Sequence, residues 1–472
     1  MEQFRFTDKN AIALLLLSGL GVLVGIIAGI SISAEPLLTA AWIFLVVALF
    51  GALYVATNFE FALLALLVIR SALDAFYPLP SLFAIGLEAL TIAYVSWQFL
   101  QRRPIKTDRF WWFFFGWVVF QGLWVVLAFL GGLGLSSSVF FTGVREWLRM
   151  MTWVVVYLLV MQLKRFSPDR AITLLFFSLV IPLTVAALQL VVPGALPSDL
   201  APYLGTRVSG TLGHPATFST FLLFFIGLTW WKLGHTQHRL PWLTLLAVLG
   251  FFLVSAQSLT MLAMLLVMLA ILIIPRLSAV NLLGVLIFTA MVLGLLLSTE
   301  LGQERIASVL ETPLLNPDIN WSRSVLLSWR DGNSFNWRVA QWTFLLDAWR
   351  NSPLLGHGLN TSSFLTIWEN YAHNDYVRSL AEQGVVGFIS FLLFLAAQAI
   401  YLVKLMVSLP VGSRKRDLCF VLFAFFVASL IGMATDNLWS HTALYSYWWA
   451  MFGVLSWDWQ ETARRKSKEV VG

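Results

Sequence analysis

The side chains best suited to chemistry stand together in the segment 371–376, which reads YAHNDY. His373 is a proton acceptor near neutral pH by residue type. Asp375 lies too near in sequence to orient His373 on a regular helix, but it can do so at the start of one, and Asn374 adds a further polar group. The segment therefore predicts either a general base with polar neighbours, or a histidine that caps a helix or is buried for structural reasons.

A second pattern concerns the basic residues. Inside the apolar runs and on the outer side of the topology given below, every basic residue is an arginine. Arginine offers a planar fork that fits phosphate and carboxylate, whereas lysine is a point charge. The pattern predicts recognition of an oxyanion, and ion pairing with outer acids such as Asp331, Asp347 and Glu382 is the alternative for any one of them. The arginines are Arg70, Arg145, Arg149, Arg207, Arg305, Arg323, Arg330, Arg338, Arg350 and Arg378.

Two charged pairs have i, i+4 spacing, so each pair shares one face of a helix. Arg70 and Asp74 carry opposite charges, which lowers the cost of an intramembrane charge, and we predict a structural ion pair. Arg145 and Arg149 carry like charges, which destabilise a helix unless an anion lies near them. A bound phosphate or pyrophosphate explains this second pair, and pairing with Glu146 is the alternative.

Other kinds of site are not indicated by the sequence. The chain has no histidine pair at metal-ligand spacing with a carboxylate partner, no glycine-rich phosphate loop and no Gly-x-Ser-x-Gly elbow. The single cysteine, Cys419, excludes internal disulfides and cysteine-based metal clusters. The short basic tail at 464–468 suits anionic lipid better than nucleic acid. We therefore predict no metal, no cofactor and no nucleic-acid partner.

The composition shows which elements must position these residues. Of 472 residues, 59% are apolar and 11% are charged, against about 45–50% and 25% in soluble domains. The mean hydropathy is +0.82. Apolar runs long enough to cross a bilayer recur along the chain, and lipid requires each to be a helix. We predict an all-α, polytopic membrane bundle of about 12–14 transmembrane helices. The runs start near 11, 37, 61, 81, 110, 140, 170, 215, 240, 258, 279, 384, 417 and 442.

Lysine and arginine in short loops indicate the orientation, because such loops face the cytoplasm. The basic loops at 101–109 and 404–416 place both termini inside. We predict N-terminal transmembrane helices over 1–298, a large periplasmic loop with amphipathic helices over 299–383, and C-terminal transmembrane helices with a cytoplasmic tail over 384–472.

The large loop carries a predicted amphipathic helix from 336 to 350. Asn336 suits its N-cap, and Pro353 lies just beyond its end. Such a helix can lie along the membrane interface with its tryptophans at headgroup depth. One face presents Arg338, Trp342, Leu345 and Trp349.

Three motifs occur in a distinctive order. The first is 206–215 (TRVSGTLGHP), which opens an apolar run. The second is the helix around Trp342, which leads into 353–358 (PLLGHG). The third is 372–377 (AHNDYV), which continues into 382–387 (EQGVVG). Each motif alone is weak, but together and in this topology they resemble the O-antigen ligase/polymerase family of bacterial surface-polysaccharide membrane proteins over most of the chain.

The resemblance implies transfer of a glycan from a polyprenyl pyrophosphate carrier to a sugar hydroxyl, without a metal or a nucleotide sugar. It places the reaction on the periplasmic face of the bacterial inner membrane. The product is a longer polymer or a glycan attached to lipid A–core, so the partners are the lipid-linked glycan, its acceptor and membrane lipid.

This chemistry assigns roles to the candidate residues. Charge develops on the pyrophosphate as it leaves, and fixed arginines stabilise that charge in the transition state. His373 is our candidate for the group that accepts the proton of the attacking hydroxyl, with His214 second. We assign catalysis to His373, Arg207 and Arg338, and binding of substrate or pyrophosphate to Arg145, Arg149, His214, Asn374 and Asp375.

Two positions depart from the family pattern. The family often has a Ser-Arg pair opening the span after the one near 240, but here Ser258 is followed by Leu259. Ala216 stands where an asparagine is common. Either another arginine binds the phosphate that this arginine would contact, or this chain differs in activity.

Two other classes of protein are compatible with the sequence. A polytopic transporter or glycolipid flippase also has many spans and intramembrane charges, but carriers usually show interrupted helices in two repeated halves, and no internal repeat is evident. A non-catalytic scaffold of a glycan-assembly complex is the third interpretation. The distinctive residues lie on one side only, which favours an enzyme of the outer face. Span count and length lean toward a polymerase, although the motifs do not separate polymerase from ligase.

Overall fold

The structure, a computed structural model, describes the chain from residue 59 to residue 459 with gaps. The described residues form helices and irregular segments without a β-strand, in agreement with the predicted all-α bundle. The predicted spans near 11 and 37, and most of the one near 279, lie outside the described residues. The described ranges are 59–76, 79–130, 137–203, 207–274, 321–330, 334–366 and 370–459, with scattered positions between 275 and 320.

The described helices follow the predicted apolar runs and the predicted loop helix. In chain order they are α1 Phe59–Ile69, α2 Leu79–Leu100, α3 Arg109–Phe129, α4 Ser137–Met161, α5 Pro168–Val191 (with a 3-10 stretch at Phe176–Leu179), α6 Pro215–His235, α7 Leu240–Ser255, α8 Leu259–Ile273, α9 Trp321–Arg330, α10 Ser334–Asn351, α11 Asp375–Ser408, α12 Arg414–Gly432 and α13 Thr442–Leu455.

Five of these helices, α2, α3, α5, α6 and α11, are long and apolar enough to cross a membrane, and α7 and α8 are shorter apolar helices. Most of α6 is buried inside the protein, whereas α3 buries only one face, so α6 is a central helix. The predicted run that starts near 61 forms an α-helix of only 11 residues, because the chain turns into a 3-10 helix at Arg70–Ala72.

The described residues group into two units. The first comprises 59–63 and 89–105, and in it the rings of Phe59 and Tyr94 stack with centroids 4.3 Å apart. The second comprises 64–88 and the described residues from 106 onward. All the candidate site residues lie in this second unit.

Polar side chains fix the starts of the helices next to the site. Nδ1 of His214 accepts the backbone N–H of Ala216 at 3.2 Å, so this histidine caps α6. Oδ1 of Asn374 accepts the N–H groups of Tyr376 and Val377 at 3.0 Å, so it caps α11. These bonds satisfy donors that have no partner within the helix. Both caps therefore anchor the loops that precede these helices.

Helix α10 begins two residues before Asn336, so the prediction that Asn336 caps this helix is wrong. Its predicted face packs against the protein. Leu345 is fully buried in a cluster with Ala372 and Ala381, and Nε1 of Trp349 donates to the carbonyl of Pro353 at 3.0 Å. The helix is therefore tied to the segment that carries His373 and to the loop after its own end.

Helix α11 is interrupted at Gly384, where φ is +65°. The backbone groups released by this break bond to the loop 353–358. The N–H of Gly358 donates to the carbonyl of Glu382 at 2.7 Å, and the N–H of Val385 donates to the carbonyl of Pro353 at 2.9 Å. These bonds explain why the two glycine-containing motifs of the sequence occur together, since each supplies partners for the other.

We expect Gly384→Ala to destabilise the protein by about 2–5 kcal/mol, through strain at positive φ and overpacking. A Cβ at Gly384 would lie 2.3 Å from the carbonyl carbon of Leu354, so backbone has to move. The matched control is Gly412→Ala, because Gly412 also has a positive φ (+76°) but a Cβ there meets nothing within 4 Å. Thermal unfolding in detergent measures both, and equal losses would show that packing against Leu354 does not matter.

Candidate active site

His373 lies in the loop just before α11, with Nδ1 3.3 Å from Oδ1 of Asp436. Its backbone N–H donates to Oδ1 of Asn437 at 2.7 Å, and its φ of +48° is a conformation that persists only where neighbouring groups hold it. The ring packs edge-on against Trp337, with centroids 5.5 Å apart. When Nδ1 carries the proton that bonds to Asp436, Nε2 keeps its lone pair. The side chain is 18% exposed, so a bound molecule can reach the imidazole.

Asn374 and Asp375 shape the backbone around His373. Oδ2 of Asp375 accepts the backbone N–H of Trp439 at 2.9 Å, and the backbone N–H of Asp375 donates to the carbonyl of Met433 at 2.7 Å. The carboxylate that contacts His373 is that of Asp436, 63 residues further along the chain. The assignment of Asn374 and Asp375 to substrate binding stays a prediction.

Helix α10, which carries Arg338 in its first turns, is hydrogen-bonded to the loop that precedes His373. Nε2 of Gln341 donates to the carbonyl oxygens of Asn370 and Tyr371 at 2.6 and 2.8 Å. Nε1 of Trp342 donates to the carbonyl of Ala372, also at 2.8 Å. The first turns of α10, which carry Arg338, are therefore held beside the loop that ends at His373.

Three histidines, His214, His373 and His441, lie close enough to the Asp436 carboxylate to interact with its charge. Burial alone would raise the pKa of Asp436, but the hydrogen bond from His373 and the charges of His441 and Arg338 outweigh it and lower the pKa. Burial lowers the pKa of His441 to about 4, against the opposing effect of Asp436. Burial likewise lowers the pKa of His214 to about 4. At neutral pH the cluster therefore contains an ionised carboxylate and two neutral histidines, in addition to His373.

These pKa shifts predict a loss of stability in acid. Because the pKa of His441 is lower in the folded protein than its ordinary value of 6.5, the unfolded chain binds more protons below pH 6.5. Stability should therefore fall as pH drops from 6.5 toward 4, by about 2 kcal/mol at pH 5 for this histidine. The measurement is the Tm at pH 7.5 and 5.0. The difference in Tm should shrink in His441→Gln. It should stay unchanged in the control His238→Gln, which alters an exposed histidine. An undiminished difference in His441→Gln would show that another group causes the acid sensitivity.

Arg207 reaches the C-terminal end of α7. Its Nε and Nη2 donate to the carbonyl of Ala256 at 3.3 and 3.2 Å, and Nη2 donates to the carbonyl of Gln257 at 3.0 Å. A backbone bridge to Tyr203 holds the segment in place. These carbonyls lie three and two residues before Leu259, which replaces the arginine expected from the family pattern. Arg207 therefore supplies a guanidinium group to the region where the sequence lacks one.

Three of the arginines noted in the sequence line one cavity of about 480 Å³. Arg70 donates to Oδ1 of Asp74 at 2.6 Å, so the predicted pair is in contact, but Arg70 also faces the cavity. Arg149 pairs with Glu146. Arg145 is exposed and has no side-chain partner among the described residues. The cavity thus holds three guanidinium groups beside the carboxylates of Glu88 and Glu146, and the surplus of arginine suits an anion with several oxygens.

The same cavity has an apolar wall and includes sequence neighbours of two of the clustered histidines. Its lining contains Tyr371, two residues before His373, and Thr442, the neighbour of His441. A ligand with an anionic group and a long apolar part fits both surfaces. The apolar lining consists of Pro80, Phe83, Ala84, Ile85, Leu148 and Trp153.

Arg378 is a structural arginine. Its Nε donates to Oε1 of Glu382 at 3.0 Å, and its two Nη atoms donate to Glu146, Asn360 and Ser440 at 2.9–3.1 Å. The side chain is buried, and these contacts tie α4, α11 and two loops together. For this residue the alternative given by the sequence, an ion pair with an outer acid, describes the structure. Since Glu146 also contacts Arg149, this network supports one of the cavity arginines.

Asp436 and His441 were not singled out by sequence reasoning. The signal that could have found them is the polar segment 435–441 (TDNLWSH) between the apolar runs of α12 and α13. No group of three or more His, Cys, Asp and Glu side chains in the described ranges is placed to hold a metal ion.

Asp436 is a positioning residue, because it acts through His373. We expect Asp436→Asn to lower kcat for any reaction in which His373 accepts a proton, by about ten- to a hundred-fold, with little change in KM. An amide can still accept the hydrogen bond at 3.3 Å, but it does not stabilise a protonated imidazole. Steady-state kinetics of the purified protein measure the two constants. Asp436→Glu, which keeps the charge, should recover part of the rate. An Asn variant with normal kcat would leave Asp436 a purely structural role.

Comparison with known proteins adds one finding to this geometry. No curated protein matches the chain, but the family model described as O-antigen ligase matches residues 224–392. The matched region runs from within α6 to within α11 and includes Arg338 and His373. The match indicates an O-antigen ligase- or polymerase-type function in surface-polysaccharide assembly, and the five long apolar helices agree with a bacterial membrane protein. The match confirms what the motifs indicated: the chain is similar to the O-antigen ligase/polymerase family.

Proposed function

We propose that this protein is a membrane glycosyltransferase that moves a glycan from a polyprenyl pyrophosphate carrier to a sugar hydroxyl, without a metal. The observation that carries the proposal is the position of His373. Its Nδ1 contacts the ionised Asp436, and the arginine-lined cavity reaches Tyr371 two residues away. A proton acceptor thus stands next to a site for an anionic leaving group, which is what transfer from a pyrophosphate requires.

In this proposal the cavity holds the donor. The pyrophosphate lies among Arg70, Arg145 and Arg149, and the first part of the polyprenyl chain lies on the apolar wall around Phe83 and Ile85. Fixed guanidinium groups stabilise the charge that appears on the pyrophosphate when its bond to the sugar breaks. In this proposal Arg207 and Arg338 stabilise the same charge. Arg207 is close enough to His214 to lower its pKa, and Arg338 is close enough to Asp436 to lower the pKa of that carboxyl.

The transfer step follows from these positions. Nε2 of His373 accepts the proton of the acceptor hydroxyl, and the hydroxyl oxygen attacks the anomeric carbon. The new glycosidic bond forms as the bond between that carbon and the pyrophosphate oxygen breaks, and the electron pair of the broken bond remains on the pyrophosphate. Direct displacement inverts the anomeric centre. The acceptor is a growing glycan in a polymerase and lipid A–core in a ligase.

The proposal includes a topology. Both termini lie in the cytoplasm, residues 1–298 and 384–472 carry the transmembrane helices, and the loop 299–383 covers the site on the periplasmic side of the inner membrane. The basic loops at 101–109 and 404–416 support this orientation.

The test of the function is deletion of the gene in its native host, followed by gel analysis of envelope glycans with rescue by the wild-type protein and by His373→Ala. Single repeat units left on lipid A–core indicate a polymerase. Full-length chains that stay on the polyprenyl carrier indicate a ligase. In both cases wild type should rescue and His373→Ala should not. Unchanged glycans would overturn the proposal and favour a transporter.

A further inference from the structure

A second cavity, of about 680 Å³, lies at the opposite ends of the helices that carry the candidate active site. The ends of α6, α8 and α11 and the starts of α7 and α12 meet there. Helix α6 begins next to His214 and ends at His235, and 21 residues of helix span about 30 Å. The whole length of a membrane-spanning helix therefore separates this cavity from the histidine cluster.

The wall of this second cavity is largely apolar and aromatic. Trp230, Leu272 and Phe420 contribute to it, and Leu243 and Val407 at its edge are 50% and 80% exposed. Its volume lies in the range of sites that bind small molecules. An apolar surface of this size suits a hydrocarbon chain better than a polar metabolite.

Two arginines, Arg239 and Arg416, line the same cavity. Neither guanidinium group has a hydrogen bond or an ion pair to any residue within the described part of the chain. The acid in the lining, Asp417, is already paired, with Oδ2 3.1 Å from Nε2 of His235. The cavity therefore combines an apolar wall with two guanidinium groups that form no ion pair with a described acid.

We propose that this cavity binds an anionic glycerophospholipid, with the phosphate between Arg239 and Arg416 and an acyl chain along Trp230 and Phe420. Basic pockets between helices on the cytoplasmic side of a membrane are suited to anionic headgroups. The proposed topology places this end of α6 on that side, and only the choice of leaflet rests on it. A free phosphate contacts the arginines but not the apolar wall, so binding experiments can distinguish a phospholipid from a free phosphate.

The test uses the full chain, purified in detergent and mixed with equal amounts of phosphatidylglycerol and phosphatidylethanolamine. Native mass spectrometry measures how much of each lipid is retained. Wild type should retain phosphatidylglycerol preferentially, and Arg239→Gln/Arg416→Gln should retain roughly ten-fold less of it. The matched control is Arg102→Gln/Arg103→Gln, which removes two charges from another basic loop and should behave like wild type. Equal retention of both lipids by wild type, or no effect of the Arg239/Arg416 change, overturns the proposal.

A second variant tests the acyl chain. Gly234 lines the cavity, and a Cβ there meets nothing within 4 Å, so Gly234→Phe fills space and leaves both arginines in place. It should also lose phosphatidylglycerol. Full retention by Gly234→Phe, or displacement of the lipid by inorganic phosphate, would reduce the site to a phosphate site and overturn the proposal. Glycan transfer is measured separately on the same variants, so failure of lipid binding leaves the proposed function standing.

Discussion

Replacing His373 by alanine should lower the rate of glycan transfer by about 10²–10⁴-fold, the usual contribution of a general base. The expectation follows from the contact between Nδ1 and Asp436, which leaves Nε2 to accept the proton of the acceptor hydroxyl. The measurement is kcat of the purified protein in lipid vesicles, with a polyprenyl-pyrophosphate-linked glycan as donor and its acceptor glycan.

The matched control for this variant is His238→Ala, since His238 is an exposed histidine of the loop between α6 and α7. It should transfer at the wild-type rate. His373→Ala must also be shown to fold, by its elution profile and Tm, because its backbone holds a strained conformation. A folded His373→Ala protein with normal kcat would remove this histidine as the base and direct attention to His214.

Removing both Arg145 and Arg149 should lower kcat/KM for the lipid-linked donor by roughly 10²–10³-fold. Both guanidinium groups line the cavity proposed for the pyrophosphate, where the charge of the leaving group develops. The fold should survive Arg145→Gln/Arg149→Gln, because Glu146 keeps a partner in Arg378 at 3.1 Å. Kinetics in which the donor and acceptor concentrations are varied in turn measure the effect on both substrates.

Two further variants serve as controls for Arg145→Gln/Arg149→Gln. Arg350→Gln removes an exposed arginine that pairs with Asp347, and it should leave kcat/KM for the donor unchanged. Arg145→Lys/Arg149→Lys keeps the charge without the planar fork and should give an intermediate rate. If only the KM for the acceptor rises in the glutamine variants, the cavity binds the acceptor, and the assignment of the pyrophosphate is wrong.

The sequence was informative where the determinants are local. The apolar runs predicted the helices because lipid forces a continuous apolar segment to satisfy its own backbone. The loop helix predicted over 336–350 occurs as Ser334–Asn351, since its periodicity is a property of neighbouring residues. In the run that starts near 61, the α-helix ends at Ile69, directly before the charged Arg70.

The arrangement around His373 depends on residues far apart in the chain. Asp375 is the nearest acid in sequence, but the chain turns so that the carboxylate of Asp436 lies against His373 and Asp375 bonds to Trp439. Such a contact is set by how α11 packs against α12, which no local pattern encodes. The pairing of Gly356 with Gly384 is of the same kind, because each glycine leaves room for the backbone of the other segment.

The interruption of α11 has a mechanical consequence. The short piece that follows His373 is fastened to the loop 353–358 through the carbonyl of Glu382, and the long apolar piece is fastened to the same loop through the N–H groups of Val385 and Val386. Membrane helices change tilt with the thickness of the bilayer around them. Because the loop 353–358 is bonded to both pieces, we expect a change in the tilt of the long piece to move the short piece with it. The break at Gly384 therefore fixes the direction of the two pieces relative to each other and does not act as a hinge.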